Sequence, residues 1–139
     1  MFDFLKNLSL PRFIRAAGTQ AEGWWFDATR HVQTSGWVFL SGLTLAGAGA
    51  ATGPAGSDYL PVRPAVARQA IARLPIQNHA DYAFVDLGSG KGRMLLVAAD
   101  YPFRAIHGIE FALELHRQGR VKYLLLSPSE TAVYLLRID

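Results

Sequence analysis

The chain of 139 residues contains no cysteine, which excludes disulfide staples, thiolate catalysis and cysteine-ligated zinc. That absence fits both sides of a membrane and leaves the redox compartment open. Charge is sparse at 18% of residues, and although the net charge is +3 with a pI near 9.5, no Lys/Arg run of about five or more occurs, so nucleic acid is unsupported as a partner. Long apolar runs are also missing. The stretch from Trp37 to Ala51 is diluted by Ser41, Gly42, Thr44, Gly47 and Gly49 and falls short of the roughly 20 apolar residues of a bilayer span. The N-terminal MFDFLKNLSLPRFIR places Asp3 early and Pro11 in its middle, without the continuous apolar core of a signal peptide. These readings predict a cytoplasmic protein with no transmembrane segment.

What is present suits a packed domain. Half of the residues are hydrophobic, enough apolar surface for one core at this length. Residues 1–57 read as an N-terminal cap and loop region, with short amphipathic helices on either side of Pro11 and a glycine- and alanine-rich stretch from Gly36 to Ser57. Residues 58–139 read as the folded α/β part. Pro61 and Pro64 enforce extended backbone ahead of them, and Pro64 suits the first turn of a helix over Ala65 to Leu74. Tyr82 to Leu87 predicts a buried strand, Arg93 to Asp100 a mostly buried helix, Ala105 to Glu110 a second strand, and Leu113 to Gln118 a second helix interrupted at Gly119. Strand, helix, strand, helix favours a parallel sheet. Val121 to Leu126 and Ala132 to Ile138, joined by the turn-rich Ser127 to Thr131, predict a C-terminal β-hairpin.

The chemistry concentrates in Val85-Asp86-Leu87-Gly88-Ser89-Gly90-Lys91-Gly92-Arg93, a strand that runs into alternating glycines and then a helix. Residues without a Cβ permit a sharp turn and close approach of the backbone to a ligand. A phosphate-binding P-loop would need Ser or Thr after its lysine, and Lys91 is followed by Gly92. A dinucleotide fingerprint would need glycine at the sixth position from Gly88, and Arg93 stands there. The Asp-x-Gly-x-Gly-x-Gly spacing resembles motif I of the class I S-adenosylmethionine-dependent methyltransferases. Tyr59-Leu60-Pro61, Pro102-Phe103-Arg104 and Gly108-Ile109-Glu110-Phe111 extend the resemblance over about residues 24 to 118.

The resemblance implies a Rossmann-like three-layer α/β sandwich, incomplete at this length, and S-adenosyl-L-methionine as cofactor for methyl transfer to an unknown acceptor. It implies that Asp86, Gly88, Ser89, Gly90 and Gly92 wrap the cofactor. Glu110, at the end of the second strand, would accept hydrogen bonds from the ribose hydroxyls, Phe111 would lie against the adenine, and Tyr59 would reach over the ligand. No catalytic residue and no metal site is indicated, and His107 and His116 read as core or surface residues. Lys91 and Arg93 read as solvent-facing, with the cofactor carboxylate as their alternative, and Trp24, Trp25 and Trp37 as buried packing. The family's sheet has seven strands, so the chain reads as truncated or internally deleted, or as unrelated sequence after about Gln118. Either event leaves a sheet edge exposed to self-association. A non-catalytic remnant or dimerising interaction module is therefore the alternative function, and a nicotinamide-binding fragment a third.

Overall fold

The computed structural model describes residues 10–45, 58–126 and 133–137. The turns expected ahead of Pro11 and most of the glycine- and alanine-rich stretch lie outside them. Helix α1 spans Leu10–Arg30. Pro11 falls in the first turn of this helix, where the missing N–H has no intrahelical acceptor to lose. The helix ends with His31 in the left-handed region (φ 53°), while the amide of His31 donates to Ala28 O at 3.4 Å and that of Val32 to Asp27 O at 2.9 Å. This pair of bonds is a Schellman closure, usually built on glycine. Histidine is among the few other residues that adopt this conformation with some frequency.

Helix α2, Pro64–Ala72, begins at Pro64 as expected, and the side chain of Arg63 at its N-cap makes no capping bond. The cap comes from another helix. Glu22 of α1 accepts the Ala65 amide at 2.6 Å and Arg63 Nε at 3.1 Å, which satisfies a free amide and sets a negative charge at the positive helix end.

Strand β1, Ala83–Leu87, leads through the glycine turn into helix α3, Arg93–Ala98, and on to strand β2, Ala105–Glu110. The strands pair in parallel, Ala83 opposite Ala105 through Leu87 opposite Ile109. Helix α3 sits at the centre of the core, with Leu95, Leu96, Val97 and Ala98 packed among Phe26, Ala67, Ile71, Phe103 and Ile106. Around Phe103 the rings of His79 and Phe84 pack at 4.9 and 5.4 Å between centroids, an aromatic cluster at the end of the sheet where β1 begins.

The expected C-terminal hairpin is not formed. Leu113–Leu126 is one helix, α4, and Val133–Arg137 is strand β3, parallel to β2 in a sheet of order β1-β2-β3. Glycine inside a helix costs about 1 kcal/mol, and buried Gly119 is tolerated because the helix gains packing on β2 and β3. The free edge of β2 offers Val133–Arg137 a full ladder, whereas a two-stranded hairpin alone is at best marginally stable. The architecture is thus α/β with a small parallel sheet.

On β1 the side chains of Ala83, Val85 and Leu87 remain exposed, Leu87 at 75%. The outer edge of β1 has no ladder partner among the described residues. The three tryptophans expected in the core are exposed as well, Trp24 at 64%, Trp25 at 73% and Trp37 at 62%. Trp24 and Trp25 fall on the outward side of α1, whose core-facing positions are taken by Phe26 and Gly23, and Trp37 stacks on Phe39 at 5.5 Å.

The position of Leu95, fully buried, gives a direct measure of this core. Leu95→Ala is expected to lower unfolding free energy by about 2–5 kcal/mol in urea titrations, while Val85→Ser on the open face changes it by roughly 0.5 kcal/mol or less. Equal effects at the two positions would contradict this placement of the core.

Candidate functional site

The glycine turn is held against the end of β2 by its own amides. Gly88 and Ser89 donate to Ile109 O at 2.8 and 3.0 Å, and Gly92 donates to Ser89 O at 2.8 Å. Three glycines of the turn take positive φ, Gly88 at 77°, Gly90 at 56° and Gly92 at 81°, a region closed to most side chains. Gly90 has a second constraint, because a Cβ there would overlap the ring of Tyr59.

Glu110, the last residue of β2, is buried and turns its carboxylate back under the turn. Its Oε2 accepts the Gly90 amide at 2.6 Å and its Oε1 the Ala112 amide at 2.7 Å. Asp86 approaches from β1. Burial raises its pKa above the ordinary carboxylate value, and the charge of Glu110 raises it further.

A cavity of about 590 Å³ opens over this turn, lined on one side by Asp86, Gly88, Ser89, Gly90, Glu110 and Phe111 and on the other by Leu43 and the stretch Asp58 to Val62. Of the eight residues singled out in the sequence, seven border this cavity. Gly92 is the exception, since it forms the left-handed N-cap of α3 behind the turn. Tyr59 belongs to the second wall. Its ring faces Gly90, its hydroxyl donates to Thr34 O at 2.8 Å, and its backbone forms an antiparallel bridge with Val38. Burial pushes its phenol well above the ordinary tyrosine range.

No family model matches this chain, and no curated protein matches it. Among solved structures, YjhP from E. coli is 25% identical with a TM-score of 0.41, over 53% of this chain and 29% of that one. The Haloferax volcanii complex of the Trm112 methyltransferase activator with a protein described as a methyltransferase gives 25% identity and a TM-score of 0.39, over 52% of this chain and 29% of that one. The chain therefore spans less than a third of each structure it resembles, and likenesses of this size transfer no residue's role.

The residues that hold the second wall in place are ones the motif does not reveal. Arg93, expected to face solvent, is 4% exposed. Its Nε donates to Thr34 Oγ1 at 2.7 Å, Nη2 to Ser35 Oγ at 2.6 Å and Nη1 to Val62 O at 3.2 Å, with Asp27 Oδ1 at 3.6 Å. Asp27 in turn accepts the amides of Thr34 and Ser35 at 2.8 and 2.7 Å and the Thr34 hydroxyl. Lys91, also expected in solvent, is buried. It donates to Ser35 O at 3.0 Å and lies over the Tyr59 ring at 5.2 Å. A basic residue just after a glycine turn ordinarily reaches water. Here the segment after α1 folds over that position, which only long-range packing decides.

The two aspartates respond to pH with opposite sign. Burial works against the charge of Asp27, but the hydrogen bonds from Thr34 and Ser35 outweigh it and hold its pKa below 3.8. Asp27 therefore contributes stability above about pH 3.8 that is lost as pH falls through its folded value. Asp86 has a raised folded pKa, so its charge costs stability at neutral pH, and the cost disappears on acidification through that value. Asp27→Asn is expected to lower Tm at pH 7 and Asp86→Asn to raise it, with both differences shrinking toward pH 3. A scan in which the two variants shift Tm in the same direction at pH 7 would overturn this assignment.

Proposed function

We propose that the cavity over the glycine turn binds S-adenosylmethionine and that the domain belongs to a methyltransferase acting on an acceptor still to be identified. The observation that carries this reading is the convergence of the Gly90 amide and the Glu110 carboxylate, 2.6 Å apart, at the rim of one cavity that Asp86, Ser89, Phe111 and Tyr59 also line. The residues fit an adenosyl ligand. A carboxylate has about four lone-pair sites, and the two amides leave Glu110 able to accept further hydroxyl donors. Ser89 Oγ is buried with no hydrogen-bond partner among the described residues, a donor and acceptor that a polar ligand would satisfy. The cavity volume lies within the usual range for small-ligand sites, about 300–1,000 Å³.

When bound, S-adenosylmethionine supplies a methyl group activated by its sulfonium charge. The contribution of the chain is alignment and exclusion of water. Glu110 fixes the sugar end by its free lone pairs, and the turn from Gly88 to Gly90 lets the backbone approach closely. Phe111 offers an apolar surface for a flat base, while Tyr59 closes the opposite side.

Calorimetric titration with S-adenosylhomocysteine tests the reading. Saturable heat is expected for the wild-type chain, with affinity at least about tenfold weaker (1.4 kcal/mol) in Glu110→Gln and in Gly90→Val. A wild-type chain that gives neither heat nor a shift in Tm would remove the proposal, as would unchanged affinity in both variants. The open edge of β1 with exposed Val85 and Leu87 supports a second reading, an interaction module that pairs edge to edge. That reading requires a mass in sedimentation equilibrium that rises with concentration and falls back to the monomer in Val85→Lys.

A further inference from the structure

A second cavity, about 360 Å³, is lined by Trp24, Gln33, Gly36, Lys91 and Gln118 together with Asp27. Its chemistry differs from that of the first. The ammonium of Lys91, in a residue only 8% exposed, has one hydrogen-bond acceptor among the described residues, Ser35 O, for three N–H donors. Among the described residues no carboxylate oxygen lies within 4 Å of it. Asp27, on the same cavity, is committed to Thr34, Ser35 and Arg93. Buried charges in folded proteins are ordinarily paired, so an incompletely partnered ammonium on a cavity wall points to an anion. Burial draws the Lys91 pKa below its usual range, against the opposing charge of Asp27, which raises it. Beside it, Trp24 presents a largely exposed indole to the cavity, a flat apolar surface suited to stacking.

We propose that this cavity is a second ligand site, which takes a small planar carboxylate with its charged end on the Lys91 ammonium and its ring on the Trp24 indole. A monoanion suits the site better than a phosphate dianion because the Asp27 carboxylate lines the same cavity. The volume admits one ring and its substituents. The Tyr59 ring, which lines the first cavity, faces Gly90 and lies 5.2 Å from the Lys91 ammonium. The site does not depend on an adenosyl compound in the first cavity, so the two proposals can fail separately.

The test is a nitrogen-15 NMR titration of the full chain with benzoate and, in parallel, with benzamide, its uncharged analogue, with no adenosyl compound present. Benzoate is expected to shift the Trp24 indole N–H and the Gly36 amide saturably, with benzamide at least about tenfold weaker (1.4 kcal/mol). Lys91→Met should reduce benzoate to the benzamide level while S-adenosylhomocysteine heat is measured independently on the same variant. Should Lys91→Met lose its folded spectrum, Trp24→Ala on the outward face of α1 replaces it, and the Gly36 shift is expected to weaken. The proposal is overturned by an absence of saturable shifts in the wild-type chain, by equal affinity for the two probes, or by undiminished benzoate affinity in the folded variant.

Discussion

The buried guanidinium of Arg93 is the constraint on which the rest of the site depends. It stands at the first position of α3, directly after the glycine turn, and its three nitrogens reach Thr34, Ser35 and Val62. One side chain thus ties the turn to the segment that follows α1 and to the strand-like approach to α2. A buried charge is tolerated only with good geometry and nearly complete hydrogen bonding, and Asp27 supplies the counter-charge at 3.6 Å. Breaking such a pair by removing one partner costs about 3–5 kcal/mol, whereas replacing the whole group by apolar residues is often neutral. The network consequently specifies where the second wall stands more than it stabilises the fold.

Glu110 performs the matching task on the first wall. Its carboxylate satisfies the amides of Gly90 and Ala112, which fixes the turn relative to the start of α4. The stretch before Ala46 is drawn to the same place, with Leu113 donating to Thr44 O at 2.9 Å and Thr44 donating to Glu114 at 2.8 Å. Hydrogen bonds from Thr44 hold the Glu114 carboxyl below its usual range. Both cavities are therefore built from backbone segments distant in sequence and joined by a few charged side chains. The apolar core under α3 supplies the support but sets no site geometry directly.

The sheet carries an asymmetry with functional weight. β2 is covered on both edges by β1 and β3, and its buried alternation ends in Glu110. β1 has one free edge among the described residues and an open apolar face, where Val85 and Leu87 meet water. Exposed edges of this kind are pairing surfaces unless covered or charged. The glycine turn emerges from this less protected strand, so whatever covers β1 also bears on the position of Asp86.

Local patterns were legible in the residues themselves. The second strand was placed with its observed ends because Ala105 to Glu110 is a short apolar run that meets a predicted helix start. The glycine turn was legible because residues without a Cβ accept most readily the φ values found at Gly88, Gly90 and Gly92. The convergence of that turn with Glu110 followed from the parallel strand-helix-strand order, since both lie at the carboxyl ends of neighbouring strands. The fate of Val121 to Leu126 was not legible. An apolar run of that length suits strand or helix equally, and in the structure it continues the helix that begins at Leu113. Nor could composition show that Lys91 and Arg93 would be buried while three tryptophans stayed exposed. Burial of a charge depends on partners such as Asp27 and Thr34, which the chain brings close only when it folds. Sequence alone determined the local conformations that glycine and proline enforce, and tertiary structure decided which polar groups could leave water, because only it supplies the hydrogen bonds that replace hydration.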